Sequence, residues 1–174
     1  MTTKVSRRNF LKISGVLAAG AGIAATAPGG AAEAQETAPI NVVLPYPEVD
    51  LSVESESLDV GAPVYFNYPD DDSPCMMFKM GEAVPGGVGP DGDIVAYSIL
   101  CTHQGCPLNW DAETSTLKCP CHYSMFDAEL SGKLIMGSAT VDLPQIELSY
   151  NEEDGSITAV GVKGLIYGRI SNII

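Results

Sequence analysis

Cys101-Thr-His103-Gln-Gly-Cys106 and Cys119-Pro-Cys121-His122 are the two segments that decide how this chain folds and what it holds. The chain has five cysteines and two histidines, and four of those cysteines and both histidines lie in this short window. Each segment offers one Cys and one His at short spacing, and each carries one surplus Cys. Two thiolates and two imidazoles can form one four-ligand metal site. The two surplus thiols, on neighbouring loops, are enough for one disulfide.

Three kinds of site are compatible with these residue types. Two Cys and two His suit zinc in a tetrahedral structural site, and they suit a 2Fe–2S cluster in which two His replace two Cys on one iron. Zinc fingers usually pair Cys with Cys and His with His along the chain, whereas each segment here supplies one of each. Two disulfides with ordinary histidines are the third alternative, which leaves the positions of both histidines unexplained. The pattern favours the two-iron cluster.

The pattern C-T-H-x-G-C…C-P-C-H-x-S resembles that of the Rieske iron–sulfur family. The resemblance implies an antiparallel β-barrel or sandwich with an inserted cluster-binding subdomain, here roughly residues 99–140. It implies a disulfide between Cys106 and Cys121 that clamps the two cluster loops. It also implies one 2Fe–2S cluster, with both thiolates on one iron and both imidazoles on the other, held by Cys101, His103, Cys119 and His122.

Within that family the sequence is most similar to the small subunits of arsenite oxidases. Such a subunit transfers electrons and has no catalytic residues or substrate site of its own. The resemblance implies a large catalytic subunit with a molybdopterin centre and another iron–sulfur cluster, and a c-type cytochrome or small copper protein as acceptor. Beyond the cluster loops, the matching stretches are Val84–Pro90, Asp93–Ser98, Phe126–Glu129 and Ala159–Arg169.

Two residues after the second loop are expected to set the cluster's reduction potential. Ser124 is placed to donate a hydrogen bond to a sulfur, which raises the potential. Phe126 stands where high-potential respiratory Rieske proteins commonly have a Tyr, so we expect a potential in the middle to upper part of the range of roughly −150 to +300 mV. Simple core packing is the other interpretation of Phe126. A third loop, Gly137–Thr140, departs from the Gly-Pro-Ala-Pro form of quinol-oxidising relatives, which argues against quinol docking.

The N-terminus predicts export by the twin-arginine (Tat) pathway. Ser6-Arg7-Arg8-Asn9-Phe10-Leu11-Lys12 precedes a weakly apolar run rich in Ala and Gly, and Ala32-Glu33-Ala34 offers a small-x-small cleavage site. We therefore assign residues 1–34 to a signal and residues 35–174 to the Rieske domain, located in the periplasm. An uncleaved signal that serves as a membrane anchor is the alternative.

Composition after the signal excludes some functions. Residues 1–34 hold four basic residues and one acidic residue, so five basic and 21 acidic residues remain and the net charge is −16. Phosphate binding needs Lys and Arg, so a nucleic-acid partner is excluded. The acidic surface provides solubility, or a docking face for a basic redox partner. The fifth cysteine, Cys75, lies in an apolar run and is expected to be a buried thiol rather than an intermolecular one.

Short apolar runs between turn signals predict an all-β fold without a sustained helical period. The expected strands are Val60–Tyr68, Cys75–Met80, Ile94–Leu100, Thr116–Lys118, Gln145–Asn151, Ile157–Val162 and Leu165–Arg169.

Three other functions compete with the arsenite oxidase subunit. A Rieske subunit of a cytochrome bc-type complex needs a transmembrane helix and a hinge, for which residues 1–34 are a weak match. A ferredoxin of a ring-hydroxylating oxygenase is cytoplasmic and lacks the disulfide pair. A structural zinc module is distinguished by metal analysis.

Overall fold

The computed structural model describes residues 45–173, and the predicted signal, residues 1–34, lies outside the described residues. The described residues form an all-β fold, which confirms the predicted fold class, and their only helical element is a 3-10 turn at Ser55–Ser57. No helix among them is long and apolar enough to cross a membrane. The strands are β1 (Val49–Glu54), β2 (Val64–Asn67), β3 (Pro74–Lys79), β4 (Ile94–Ser98), β5 (Asn109–Asp111), β6 (Thr116–Lys118), β7 (Met125–Asp127), β8 (Lys133–Met136), β9 (Gln145–Tyr150) and β10 (Ser156–Lys163).

The strands form two antiparallel sheets. The larger has the order β1-β10-β9-β4-β3-β2, and the smaller has the order β5-β6-β7-β8. Strands β4 and β9 are neighbours in the larger sheet, with Ala96 opposite Ile146. The whole smaller sheet is therefore an insertion between two paired strands. It lies within the range predicted for the cluster-binding subdomain, residues 99–140.

Two interior strands of the larger sheet, β3 and β4, explain how the insertion is held. Both are continuous apolar runs, which is typical of strands buried on both faces. Met76 and Tyr97 pack on the side of the smaller sheet, together with the free cysteines Cys101 and Cys119. Alternate residues such as Met77 pack on the opposite side against β9 and β10. The cluster loops therefore rest on side chains of the main sheet, and each such buried side chain contributes roughly 1.5–3 kcal/mol.

Some predicted strands differ from the structure. The predicted strand Leu165–Arg169 is wrong: Ile166 N–H donates to the Asn172 side chain at 2.9 Å, and Arg169 N–H donates to the Ile166 carbonyl at 3.2 Å, so the segment forms turns. Val60–Tyr68 is longer than the observed strand, which begins at Val64. Four strands were not predicted, namely β1, β5, β7 and β8. Three of these have only three or four residues, too few to show an alternating pattern.

Candidate metal centre

The two cysteine-histidine segments fold into loops with the same backbone hydrogen bonds. In the first, Cys101 N–H donates to the Cys106 carbonyl at 2.9 Å, and Gly105 N–H donates to the Cys101 carbonyl at 2.8 Å. In the second, Cys119 N–H donates to the Ser124 carbonyl at 2.8 Å, and Tyr123 N–H donates to the Cys119 carbonyl at 3.2 Å. Each loop therefore turns back on its first cysteine and holds its histidine at the turn.

A disulfide joins the loops. The sulfurs of Cys106 and Cys121 are 2.08 Å apart, as the resemblance implied, and their Cα atoms are 6.6 Å apart. The Cys119 sulfur also lies within 4.8 Å of both. Because the two joined sulfurs have no thiolate, Cys119 is the metal ligand that this trio can offer. Cys101 is also a free thiol, and both free thiols are buried.

The two histidines meet at the surface. Their Nδ1 atoms are 3.2 Å apart and their ring planes are nearly perpendicular, at 89°. Two nitrogens on one tetrahedral metal, at about 2.0–2.1 Å from it, would lie about 3.4 Å apart. The observed separation fits that arrangement, and His122 is exposed while His103 is half-buried. The pair therefore has its Nδ1 atoms converging and the opposite edges of the rings facing outward.

The two free thiols of the cluster loops, Cys101 and Cys119, are buried and adjacent to each other. Burial raises the pKa of the Cys101 thiol, and hydrogen bonds from the His103 backbone N–H and from Ser124 act against this. The neighbouring Cys119 raises the pKa further. With its pKa raised, the Cys101 thiol forms a thiolate poorly in isolation, whereas a bound metal ion deprotonates a coordinating thiol outright. The donor set of two buried sulfurs and two convergent imidazoles fits a two-iron cluster.

The third loop packs against the second. Ala139 N–H donates to the Ser124 Oγ at 2.9 Å, so the Ser124 hydroxyl proton is free for the Cys101 sulfur. Gly137, at φ 104°, has no room for a Cβ, which would overlap the Ser124 backbone. Thr102 Oγ1 in the first loop donates to the Val141 carbonyl at 2.9 Å. All three loops are therefore locked together around the histidines.

Phe126 and Cys75, which the sequence singled out, are packing residues in the structure, and so is Trp110. Phe126 is fully buried in the same core cluster as the free thiols. Trp110 stacks on Phe78 with ring centroids 4.0 Å apart and donates to the Gly61 carbonyl at 2.7 Å. Cys75 is fully buried in β3, and burial raises its pKa to about 12, so it is an inert thiol.

A cavity of about 700 Å³ lies beside the first cluster loop, between Thr102, the third loop and the segment 163–169. Two of its three charged groups are engaged in the fold: Arg169 pairs with Asp70 at 2.6 Å, and the Asp142 carboxylate accepts the Leu134 N–H at 2.8 Å; the third is Lys163. Among the described residues that line the cavity, no two groups are placed for acid–base or nucleophilic chemistry.

Two features of the loops were not found from the sequence. Tyr123, directly after His122, has φ 58° and is 75 % exposed. Tyr167 lies over Gly105, where a Cβ would be 2.5 Å from its ring. The first follows from the hydrogen bonds that close the loop on Cys119, and the second depends on a contact across 62 residues, so no local pattern shows either of them.

Comparisons with known proteins agree with this geometry. A family model described as Rieske [2Fe-2S] domain matches residues 53–147, and a model of the TAT (twin-arginine translocation) pathway signal sequence matches residues 4–32. The chain is 41 % identical over 171 residues to iodate reductase subunit IdrB of Denitromonas iodatirespirans, an alignment that covers 97 % of this chain and 86 % of that protein.

Two further similarities are partial. The cytochrome bc1 complex Rieske iron–sulfur subunit of Corynebacterium diphtheriae is 46 % identical over 71 residues, which is 40 % of this chain and 17 % of that protein. The crystal structure of the soluble domain of Rieske protein II from Sulfolobus acidocaldarius superposes with a TM-score of 0.59 at 27 % identity, covering 67 % of this chain and 78 % of that one.

Proposed function

The chain belongs to the Rieske [2Fe–2S] family, and on this premise we propose that it is the electron-transfer subunit of an exported oxyanion oxidoreductase. The observation that supports electron transfer most directly is that the centre has a buried side and an exposed side. Two thiols are buried in the core, and two imidazoles reach the surface with their Nδ1 atoms 3.2 Å apart. Such an arrangement insulates one side of the centre and opens the other to a partner.

The proposed ligands lie on the two sides of the centre, the thiols on the buried side and the imidazoles on the exposed side. Cys101 and Cys119 would hold one iron on the buried side, and His103 and His122 would hold the other on the exposed side. The cluster, when bound, supplies one-electron redox chemistry, and neutral imidazoles in place of thiolates make its reduction easier. Ser124 stabilises the sulfur side through its hydroxyl. The disulfide and the third loop keep the two ligand loops in place in both redox states.

The substrate is proposed from the relatives. Iodate reductase is the first candidate, because similarity to the IdrB subunit extends over 97 % of the chain. Arsenite oxidase is the second, because the stretches outside the cluster loops resemble its small subunit. The two differ in the direction of electron flow: arsenite oxidation to arsenate releases two electrons to this chain, whereas iodate reduction draws electrons from it.

A catalytic subunit is the proposed permanent partner. The resemblance to arsenite oxidase implies a large molybdopterin subunit with a further iron–sulfur cluster, and a c-type cytochrome or small copper protein as the other redox partner. We propose residues 1–34 as a Tat signal and residues 35–174 as the folded domain, in agreement with the signal match over residues 4–32. The Tat pathway carries folded proteins, so the cluster can be inserted before export.

A Rieske subunit of a quinol-oxidising complex is the alternative function. The observation that favours it is the 46 % identity to a cytochrome bc1 subunit, but this covers 40 % of the chain. Both the shorter alignment and the third loop, which departs from the Gly-Pro-Ala-Pro form, give it less support than the oxyanion enzymes.

The test is metal analysis and turnover of the native complex, purified from the periplasm through a C-terminal tag on this chain. Molybdenum, together with more iron than one 2Fe–2S cluster contains, would support the proposal. The complex is then assayed with iodate and a reduced dye, and separately with arsenite and an oxidised dye. Iron and b-type haem without molybdenum would instead support the quinol-oxidising alternative and refute the proposal.

A further inference from the structure

Tyr123 occupies a backbone position that its neighbour loop fills with glycine. The two cluster loops share the same hydrogen bonds, and Tyr123 stands where Gly105 stands in the first loop. Both have left-handed φ values, 71° for Gly105 and 58° for Tyr123. A non-glycine residue in this region costs roughly 1–2 kcal/mol. The other described non-glycine residues at positive φ are serines, which are much smaller.

The loop cannot relax this strain by moving. The Tyr123 N–H and the neighbouring Cys119 N–H are both tied in the loop's hydrogen bonds, and the disulfide of Cys121 fixes the loop from its other side. Gly137 of the third loop packs against the Ser124 backbone and the Tyr123 carbonyl oxygen. Strain persists where the surroundings over-determine the backbone, and such residues cluster at functional sites.

The Tyr123 side chain contributes little to the stability of the fold. It is 75 % exposed, so most of its ring is left in water, where it gains little hydrophobic stabilisation. A residue that is costly to the backbone and unburied in the isolated chain is expected to be buried in a complex. Tyr is among the residues that most often carry binding energy at protein interfaces.

The surface around Tyr123 has the composition of an interface centre. The segments that contain the three loops, residues 99–110, 119–126 and 134–141, have no Asp, Glu, Lys or Arg in their 28 positions, although residues 35–174 contain 26 such residues. Gly137 packs against the Tyr123 carbonyl oxygen, and the segment around it carries Ile135, Met136 and Val141, each more than half exposed. Compared with the rest of a protein surface, interface centres are depleted of charged residues and enriched in aromatic residues and Met.

We propose that Tyr123 is the anchor by which this uncharged surface docks permanently on the catalytic subunit, beside the exposed ligand His122. This rests on the proposed function. A permanent subunit contact suits an apolar, uncharged surface, whereas a soluble redox partner is steered by charge and would use the acidic remainder of the chain. Because Tyr123 directly follows His122, docking through Tyr123 would bring the histidine edge of the centre against the subunit that exchanges electrons with it.

The binding experiment uses the full chain carrying its cluster and the catalytic subunit isolated from the native complex. We expect Tyr123→Ala and Tyr123→Gly to raise the Kd at least about 10-fold, about 1.4 kcal/mol, and Tyr123→Phe to leave it nearly unchanged because the ring remains. Tyr65→Ala is the matched control, since Tyr65 is also exposed, at 64 %, but lies on β2. Visible circular dichroism verifies that each variant keeps its cluster.

Urea unfolding of the same variants tests the strain without any partner. Both Tyr123→Gly and Tyr123→Ala lack the ring, and only glycine relieves the left-handed strain, so the glycine variant should be the more stable of the two. A glycine variant that is less stable than the alanine variant overturns the strain argument. If Tyr123→Ala binds the catalytic subunit with unchanged affinity, the docking argument is overturned. The same holds if the variant slows only electron transfer with a cytochrome, because Tyr123 would then contact that soluble partner instead.

Failure of the proposed function has a different signature. If the unsubstituted chain retains no molybdenum-containing subunit, the proposed function fails and the docking assignment fails with it. If that subunit binds with equal affinity to the unsubstituted chain and to Tyr123→Ala, the proposed function stands and this assignment alone is refuted.

Discussion

Replacing Ser124 with alanine tests the link between one buried hydroxyl and the cluster. Ser124 is fully buried and accepts the Ala139 N–H at 2.9 Å, and a hydrogen bond from its side chain acts to lower the pKa of the Cys101 thiol. A hydrogen bond to a charged group contributes about 1.5–3 kcal/mol. Reduction adds negative charge to the cluster, so the hydrogen bond is stronger in the reduced state than in the oxidised state. We take the difference between the two states to be about 1–2 kcal/mol. Since 59 mV corresponds to a tenfold change for one electron, Ser124→Ala should lower the potential by roughly 40–85 mV.

The assay is a redox titration of the full chain, followed by the visible circular dichroism of its cluster. Ser138→Ala is the control, because Ser138 is exposed in the third loop and undergoes the same chemical change. Ser124→Ala also leaves the buried Ala139 N–H unpaired, which costs about 1–3 kcal/mol, so its urea midpoint should fall. A variant that keeps an intact cluster and the unsubstituted potential would refute the reasoning.

Three further changes have expected outcomes. Cys106→Ser or Cys121→Ser removes the disulfide, which closes a loop of sequence separation 15. Either change should lower the free energy of unfolding in urea by roughly 3 kcal/mol. The double variant should be no less stable than either single variant, because the same bond is lost. Phe126→Tyr should raise the potential in a redox titration, and a value at or below the unsubstituted one contradicts the role given to the missing hydroxyl. The hydrogen bond from Arg169 lowers the pKa of Asp70, so this pair stabilises the fold above about pH 4 and is lost as pH falls through the lowered pKa. Asp70→Asn should therefore cost about 0.2–1 kcal/mol at neutral pH, the range for a partly exposed pair, and nothing at about pH 2; an equal cost in urea unfolding at both pH values would contradict this.

The sequence predicted the centre better than the sheets around it. The predicted ligands and the disulfide partners lie within 22 positions and form a specific pattern. The Rieske resemblance and the Cys106–Cys121 bond are confirmed, and the ligand set stays a prediction. Central strands such as β3 and β4 were predicted because burial on both faces makes them continuously apolar. The short strands β7 and β8 were missed, because their pairing depends on neighbours in space and not on their own composition.

Two errors have specific physical causes. Leu165–Arg169 is apolar enough for a strand, but the Asn172 side chain takes the Ile166 N–H that a neighbouring strand would need. The strain at Tyr123 could not be seen in the sequence, because the left-handed backbone follows from hydrogen bonds that close the loop on Cys119. The finer prediction of an arsenite oxidase subunit stays a proposal beside iodate reductase. Its substrate contacts, on either proposal, belong to another subunit.

The most direct test of the central claim is pulsed electron paramagnetic resonance of the dithionite-reduced full chain, grown with ¹⁵N-histidine. The chain has two histidines, so the label marks both proposed imidazole ligands and no other side chain. We predict a paramagnetic two-iron cluster with two strongly coupled nitrogens, both of which change on labelling. A sample without a reducible iron cluster, or one whose couplings do not respond to the histidine label, would contradict the assignment of His103 and His122 as ligands.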